Sequence, residues 1–271
     1  MLEANIEQEH STITYGGHQT LVKKLSNLDC LAGRQHAAGR SVSAGITRAD
    51  SADANHLIAI GVDRFDYTKG LIERVSAVAA MLEQHPELVG RFSLVQIAAP
   101  TRSSLDEYRT FQERLDKRVH EVNARFGQPG YQPVHLFASH HDAITLQRYY
   151  RAADACMVTS LHDGMNLVCK EFIAARDDER GVLLLSRFAG AADELPDALI
   201  INPYHIEDTA SALHDALTMS DAEQRDRMRS LRSTVQHNNV YLWAADMLAD
   251  AARTRLRERI EARISANRKE S

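Results

Sequence analysis

Ala155-Cys156-Met157-Val158-Thr159-Ser160-Leu161-His162-Asp163-Gly164-Met165-Asn166-Leu167-Val168-Cys169-Lys170-Glu171 reads as a strand, a loop and a helix in succession. The run Ala155 to Thr159 is apolar and rich in β-formers, Asp163-Gly164 is a turn signal, and the text from about Asn166 suits the first turns of a helix. A helix N-terminus carries roughly half a positive charge and several unpaired N–H donors. The unit therefore aims the backbone of Met165, Asn166 and Leu167 at whatever binds above the sheet, and a diphosphate fits there without a metal. Glu171, one to two turns inside the helix, is placed to accept hydrogen bonds from a ribose or another diol. A plain turn followed by a solvated glutamate fits the same letters, and on this stretch alone both readings stand.

Working outward, the pattern repeats. Leu57 to Val62 reads as a buried strand, followed by a polar loop and a helix over 71–84. Phe92 to Ala98 leads to a long charged amphipathic helix over 103–126, and Val134 to Phe137 to a helix over 142–153. After the opening unit, whose helix runs over about 166–176, Gly181 to Ser186 leads to a Gly-Ala turn, and Ala198 to Pro203 to a helix over 207–218. The near-continuous apolar strands predict an α/β fold, a doubly wound Rossmann-like parallel sheet of about six strands covered on both faces. From Asp221 the text is helical nearly to its end. The expected organisation is a poorly structured lead-in over 1–54, the Rossmann-like domain over 55–250 and a charged helical tail over 251–271. That tail holds seven Arg or Lys against three Glu, the pattern of a solvated helix end.

Size and composition set limits. The chain has 271 residues, 44% hydrophobic and 25% charged, enough for a sizeable core. A net charge of -5 gives no support for non-specific binding to nucleic acid or to an acidic membrane surface. Cys30, Cys156 and Cys169 have no paired spacing and read as reduced structural thiols. With neither a secretory h-region nor a long apolar run, the expectation is a soluble cytoplasmic protein.

In such a sheet ligands sit at the carboxyl ends of the strands, so the loops after them hold the candidates. Arg64 and Lys69, in Asp63-Arg64-Phe65-Asp66-Tyr67-Thr68-Lys69-Gly70, offer a planar fork and a compact charge suited to two phosphates. A surface network of Arg64 with Asp63 or Asp66 is the alternative. Arg102 precedes Ser103-Ser104 at another strand end, where either a phosphate or a capping box with Asp106 or Glu107 accounts for it. His140-His141 beside Asp142 lack further ligands at a metal-binding spacing, which leaves a nucleotide contact or helix capping. Glu194 is a cap or a charge in the cleft. No Gly-x-Ser-x-Gly, Walker A, Gly-x-Gly-x-x-Gly or Cys-x-x-Cys sequence is present, which removes the usual hydrolase, NTPase, dinucleotide and zinc readings.

Gly61 to Gly70, Asp163 to Val168 with Lys170-Glu171, and Leu185 to Ala192 with Glu194-Leu195 together resemble, in order and spacing, the trehalose-6-phosphate synthase family of retaining glycosyltransferases. The resemblance spans about residues 56–250. It implies the C-terminal, nucleotide-sugar-binding half of a GT-B fold, transferring glucose from UDP-glucose to glucose 6-phosphate with no metal or other cofactor. By matching position, Arg64 and Lys69 bind the diphosphate, with backbone groups of Met165, Asn166, Leu167 and Val168 assisting. Asp163 holds hydroxyls of the transferred glucose, Glu171 the ribose, and Arg102 the phosphate of the acceptor. Of these, the resemblance implies a catalytic role for Asp163, Arg64 and Lys69, the two cations stabilising the charge that develops on the departing diphosphate.

Two departures from the family pattern shape what is expected. The residues before the first motif do not resemble the family's N-terminal half, which supplies a glycine-rich loop and most acceptor contacts. A homo-oligomer or a separate chain supplying that half is one expectation, with an apolar strip of Val240, Leu242, Trp243 and Met247 as the partner surface. His162 also stands where the family has arginine. The other readings are a glucosylglycerol-phosphate synthase-like transferase, with the same donor site and a different acceptor, and a non-catalytic nucleotide-sugar-binding subunit or truncated remnant.

Overall fold

The computed structural model describes residues 5–7, 12–15, 18–21, 56–100, 106–238, 247–249 and 251–253. The chain divides into two compact units, Leu28–His237 and a second made of Met1–Asn27 with Asn238–Ser271. Of the second unit the described part is a three-stranded antiparallel meander, β1 (Asn5–Glu7), β2 (Thr12–Tyr15) and β3 (His18–Leu21), together with helical residues 247–249 and 251–253. Three short strands thus open the stretch read as lead-in. Met247 is exposed, whereas Val240, Leu242 and Trp243 of the expected apolar strip lie outside the described residues, as does most of the 251–271 tail.

The larger unit alternates strand and helix as the apolar runs predict. Its strands are β4 (Leu57–Arg64), β5 (Phe92–Ala99), β6 (Val134–Phe137), β7 (Ala155–Val158), β8 (Val182–Ser186) and β9 (Leu199–Ile201). They form one sheet in the order β6-β5-β4-β7-β8-β9, and every pairing is parallel. The helices are α1 (Leu71–Gln84), α2 (Asp106–Phe126), α3 (Ala143–Ala152), α4 (Leu167–Ala175), α5 (Ile206–Thr218) and α6 (Asp221–His237).

Each strand sends alternate side chains into two separate cores, because the side-chain period of a strand is two. Ala59, Leu94, Met157 and Leu184 face one core with Leu71, Val75 and Val78 of α1, Leu115 and Val119 of α2, and Leu213 of α5. Ile60, Val95, Cys156 and Leu183 face the other with Tyr149 of α3, Phe172 and Ile173 of α4, and Leu231 of α6. Both faces being covered explains why the strands read as continuous apolar text. Cys156 and Cys169 are buried thiols, and burial pushes that of Cys156 up to about 12, so it is unreactive. Among the described residues no helix is long and apolar enough to cross a membrane.

The strand order decides where a ligand goes. From β4 the chain moves outward through β5 to β6, then returns to lay β7 against the other side of β4. Between β4 and β7 the winding reverses, and the loops that follow these two strands part to opposite faces and leave a crevice.

Candidate active site

The two loops at that crevice carry Lys69 and Asp163. They meet across it, Lys69 Nζ donating to Asp163 Oδ2 at 2.6 Å, with both side chains only 15% exposed. Lys69 ends a short 3₁₀ turn after β4, which Asp66 caps by accepting from the Thr68 N–H at 2.9 Å. Gly70 follows at φ 64°, the left-handed region, and a side chain there would place Cβ 2.1 Å from the Thr159 carbonyl oxygen. Glycine is thus required both for the turn and for the close approach of the two loops.

Asp163 is held from several sides. Asn166 Nδ2 donates to the same Oδ2 at 3.1 Å and Ser160 Oγ at 3.4 Å, while Oδ1 receives only a 3.5 Å contact from the Met165 N–H. Burial acts to raise the Asp163 carboxyl, but the hydrogen bond and charge of Lys69, with the Asn166 amide, outweigh it and hold the group below its usual range. A depressed folded value means stability that is present above the ordinary carboxylate pKa and is lost as pH falls through the folded one. At neutral pH Asp163 is therefore an anion whose Oδ1 is the better placed oxygen to accept from a ligand hydroxyl.

Asn166 connects this carboxylate to the helix. It adopts φ 79°, which asparagine tolerates, and from there its Oδ1 accepts from the Cys169 N–H at 3.0 Å while its amide faces Asp163. The N–H groups of Leu167 and Val168, in the first turn of α4, have no carbonyl within their own helix to reach. Leu167 is exposed and Val168 half-buried. Glu171 is exposed one turn on and accepts from the Tyr150 hydroxyl at 3.2 Å. Burial, then the Glu171 charge, raises the Tyr150 phenol well above its ordinary value, so Tyr150 stays a donor.

A third loop, after β8, closes the group. The Asp163 N–H donates to the Phe188 carbonyl at 3.1 Å, the Gly190 N–H to the Asp163 carbonyl at 2.9 Å, and the Ala191 N–H to the Met165 carbonyl at 2.9 Å. On the other side the Leu161 N–H donates to the Thr68 carbonyl at 2.7 Å. The three loops are thus stitched together by main-chain bonds. A Cβ on Gly190 would stand 2.0 Å from the Gly164 carbonyl oxygen. Because both sides of that clash are backbone, Gly190→Ala is expected to cost about 1–3 kcal/mol. Urea unfolding measures it, and an unchanged midpoint would contradict the stitched arrangement.

Beneath the loops lies a charge that the sequence reading did not single out. Arg74 of α1 is fully buried, its Nη1 2.8 Å from Asp63 Oδ2 and donating to Gln96 Oε1 at 2.6 Å. Its Nε donates to Thr159 Oγ1 at 3.1 Å, and that hydroxyl donates to the Gly70 carbonyl at 2.9 Å. A second buried cation, Lys170, donates to Glu194 Oε2 at 2.7 Å. Arg74 sits on the apolar stripe of Leu71, Val75 and Val78, so a cation on a buried helix face was the available signal. Lys170 lies in a helix apolar on most sides and gave little signal.

Arg64 ends β4 with its side chain 58% exposed and 4.0 Å from Asp66, too loose a pair to hold it away from a ligand. Arg102 lies outside the described residues. Asp142 caps α3 through the Thr145 N–H at 2.7 Å, and His141 packs edge-on against Tyr149, so helix capping is the role the structure gives this stretch. Glu194 serves Lys170 and caps no helix through its side chain.

At this crevice a cation and a carboxylate are joined at the switch point, with a helix N-terminus beside them. Residues 1–253 match glycosyltransferase family 20. The chain belongs to that family. The match to glycosyltransferase family 20 starts before the 56–250 stretch that carries the motifs. A trehalose-6-phosphate synthase from Citrobacter koseri is 42% identical over 190 residues, 70% of this chain and 40% of that protein. The crystal structure of an α,α-trehalose-phosphate synthase (UDP-forming) from Burkholderia xenovorans in complex with glucose-6-phosphate is 39% identical, with a TM-score of 0.71 over 73% of this chain and 44% of that one. A trehalose-6-phosphate structure from E. coli bound with UDP-2-fluoro glucose is 32% identical, with a TM-score of 0.79 over 92% of this chain and 55% of that one. The chain spans about 40% of the length of the curated relatives it matches, and the sequence-read fold, one half of a GT-B transferase, agrees with these family 20 structures.

Proposed function

We propose that the chain is the donor half of an α,α-trehalose-phosphate synthase, transferring glucose from UDP-glucose to glucose 6-phosphate. The observation that carries this reading is the Lys69–Asp163 contact at the switch point, beside the N-terminus of α4. The ligands and names of the similar proteins support the substrates: one is UDP-forming and holds glucose-6-phosphate, another holds UDP-2-fluoro glucose.

In this reading Arg64 and Lys69 take the diphosphate, assisted by the backbone of Met165, Asn166, Leu167 and Val168. Glu171, oriented by Tyr150, accepts from the ribose, and Oδ1 of Asp163 accepts from hydroxyls of the glucose. Arg102 takes the acceptor's phosphate. The bond from the anomeric carbon to the diphosphate oxygen breaks as the acceptor hydroxyl oxygen bonds to that carbon from the same face, so configuration is retained. The acceptor's proton passes to the departing diphosphate. The two cations stabilise the charge that develops on the leaving group, so no metal or cofactor is required at this site. The remaining acceptor contacts come from protein outside the described residues. A nucleotide sugar and a sugar phosphate as substrates support a cytoplasmic location.

Calorimetric titration with UDP and UDP-glucose tests the reading. The Arg64→Ala, Lys69→Ala double variant is expected to bind at least about 100-fold more weakly, close to 2.7 kcal/mol. Equal affinity in the two proteins, or no binding by the folded parent, would overturn the assignment.

A further inference from the structure

At the end of the sheet away from the crevice, α1 and α5 bring two histidines together. Helices that follow parallel strands run back along them, so the C-termini of α1 and α5 lie at the strands' N-terminal edge. There the rings of His85 and His214 stack, centroids 3.6 Å apart and planes within 8°. His85 terminates α1, its N–H still bonded to the Met81 carbonyl at 2.8 Å, and the turn through Pro86 returns Glu87 to it, Oε1 lying 3.3 Å from His85 Nδ1. The ligating atoms of His85, Glu87 and His214 all lie within 4.8 Å of one another. The histidines are partly exposed and Glu87 largely so, which leaves the group open to solvent.

We propose that His85, Glu87 and His214 form a binding site for a divalent transition-metal ion of the zinc type. Two imidazoles and a carboxylate are a donor set such ions favour over calcium or magnesium. In a tetrahedral zinc site with bonds near ~2.0–2.1 Å, neighbouring ligand atoms stand about 3.4 Å apart. The parallel rings do not both aim a nitrogen at one point, so binding turns one imidazole out of the stack and draws in ligand atoms that already lie within 4.8 Å of one another. Two of the ligands sit on one turn fixed by proline and the third on a neighbouring helix, so little chain must be ordered when the ion enters. Asp215, whose Oδ1 is 3.9 Å from His214 Nδ1, or water completes the shell. A bound ion would clamp the end of α1 to α5, far from the donor site. The histidines are distant in sequence and Glu87 follows only one of them, which is why no metal spacing is readable in the text.

The test uses the full chain, free of affinity tag and stripped with chelator. Co²⁺ should give the visible bands of a tetrahedral nitrogen and oxygen site, and Zn²⁺ should displace it. At a hundredfold excess over its Kd, Zn²⁺ should raise Tm by about 5–10 °C. In the His85→Ala, His214→Ala double variant affinity should fall roughly 100-fold or more, with the bands and the Tm rise lost. Glu87→Gln, at an exposed position that preserves folding, should weaken Zn²⁺ roughly 10-fold or more. UDP affinity should be unchanged by Zn²⁺, which separates this site from the donor site. Zn²⁺ bound equally by parent and Glu87→Gln, or cobalt spectra alike in parent and double variant, would overturn the proposal.

Discussion

Replacing Arg74 by methionine is expected to cost the fold about 3–5 kcal/mol, read as a fall in the urea midpoint at constant slope. The guanidinium is fully buried among Asp63, Gln96 and Thr159, and Gly61 makes room for it: a Cβ there would stand 2.1 Å from Arg74 Nη1. Methionine fills much of the volume but leaves the Asp63 carboxylate buried without its cation. A double variant, Asp63→Leu with Arg74→Met, should recover most of the loss, because the penalty belongs to the unpaired charge. The pH dependence gives a second check. Burial already raises the Asp63 carboxyl, with Arg74 opposing, and without Arg74 it should rise further. A carboxyl raised in the folded state costs stability as pH climbs through that interval, so the deficit should be smaller at low pH than at neutrality. A pH-independent deficit would mean that packing, rather than charge, explains the loss.

Lys170→Met is expected to lower stability by about 3 kcal/mol and to weaken UDP binding together with it. Lys170 Nζ is buried and is the ion partner of Glu194, which is 15% exposed and ends the 3₁₀ turn Gly190–Asp193 of the third loop. That loop carries the Gly190 and Ala191 N–H groups that fix Asp163 and Met165. Losing the ion pair therefore loosens the loop and the site together. Lys170→Met, Glu194→Gln should regain stability more fully than affinity. Unfolding by urea and calorimetry with UDP measure the two effects, and a single variant that keeps parental UDP affinity would show that the pair serves the core alone.

Much of this was legible in the text because of how it folds. Strands buried on two faces must be apolar throughout, so Leu57 to Val62 and Val182 to Ser186 announced themselves, and the 71–84 helix was bounded by Gly70 and by His85-Pro86. The motif loops could be placed at strand ends for the same reason. The contact between Lys69 and Asp163 could not be read, since it depends on β7 returning beside β4, which no local pattern records. Arg74 and Lys170 were overlooked because a charge within an apolar helix reads as its solvated edge until the partner carboxylate is seen.

The stitching of the three loops also limits how such a site can be altered. Surface loops commonly accept insertions, but lengthening any one of these would pull its carbonyls and amides out of step with the other two. Change in ligand preference is then expected through residue replacement at constant length. His162 and Phe188 are the natural places, since their main chains are anchored by the Thr68 and Asp163 bonds while their side chains stay exposed.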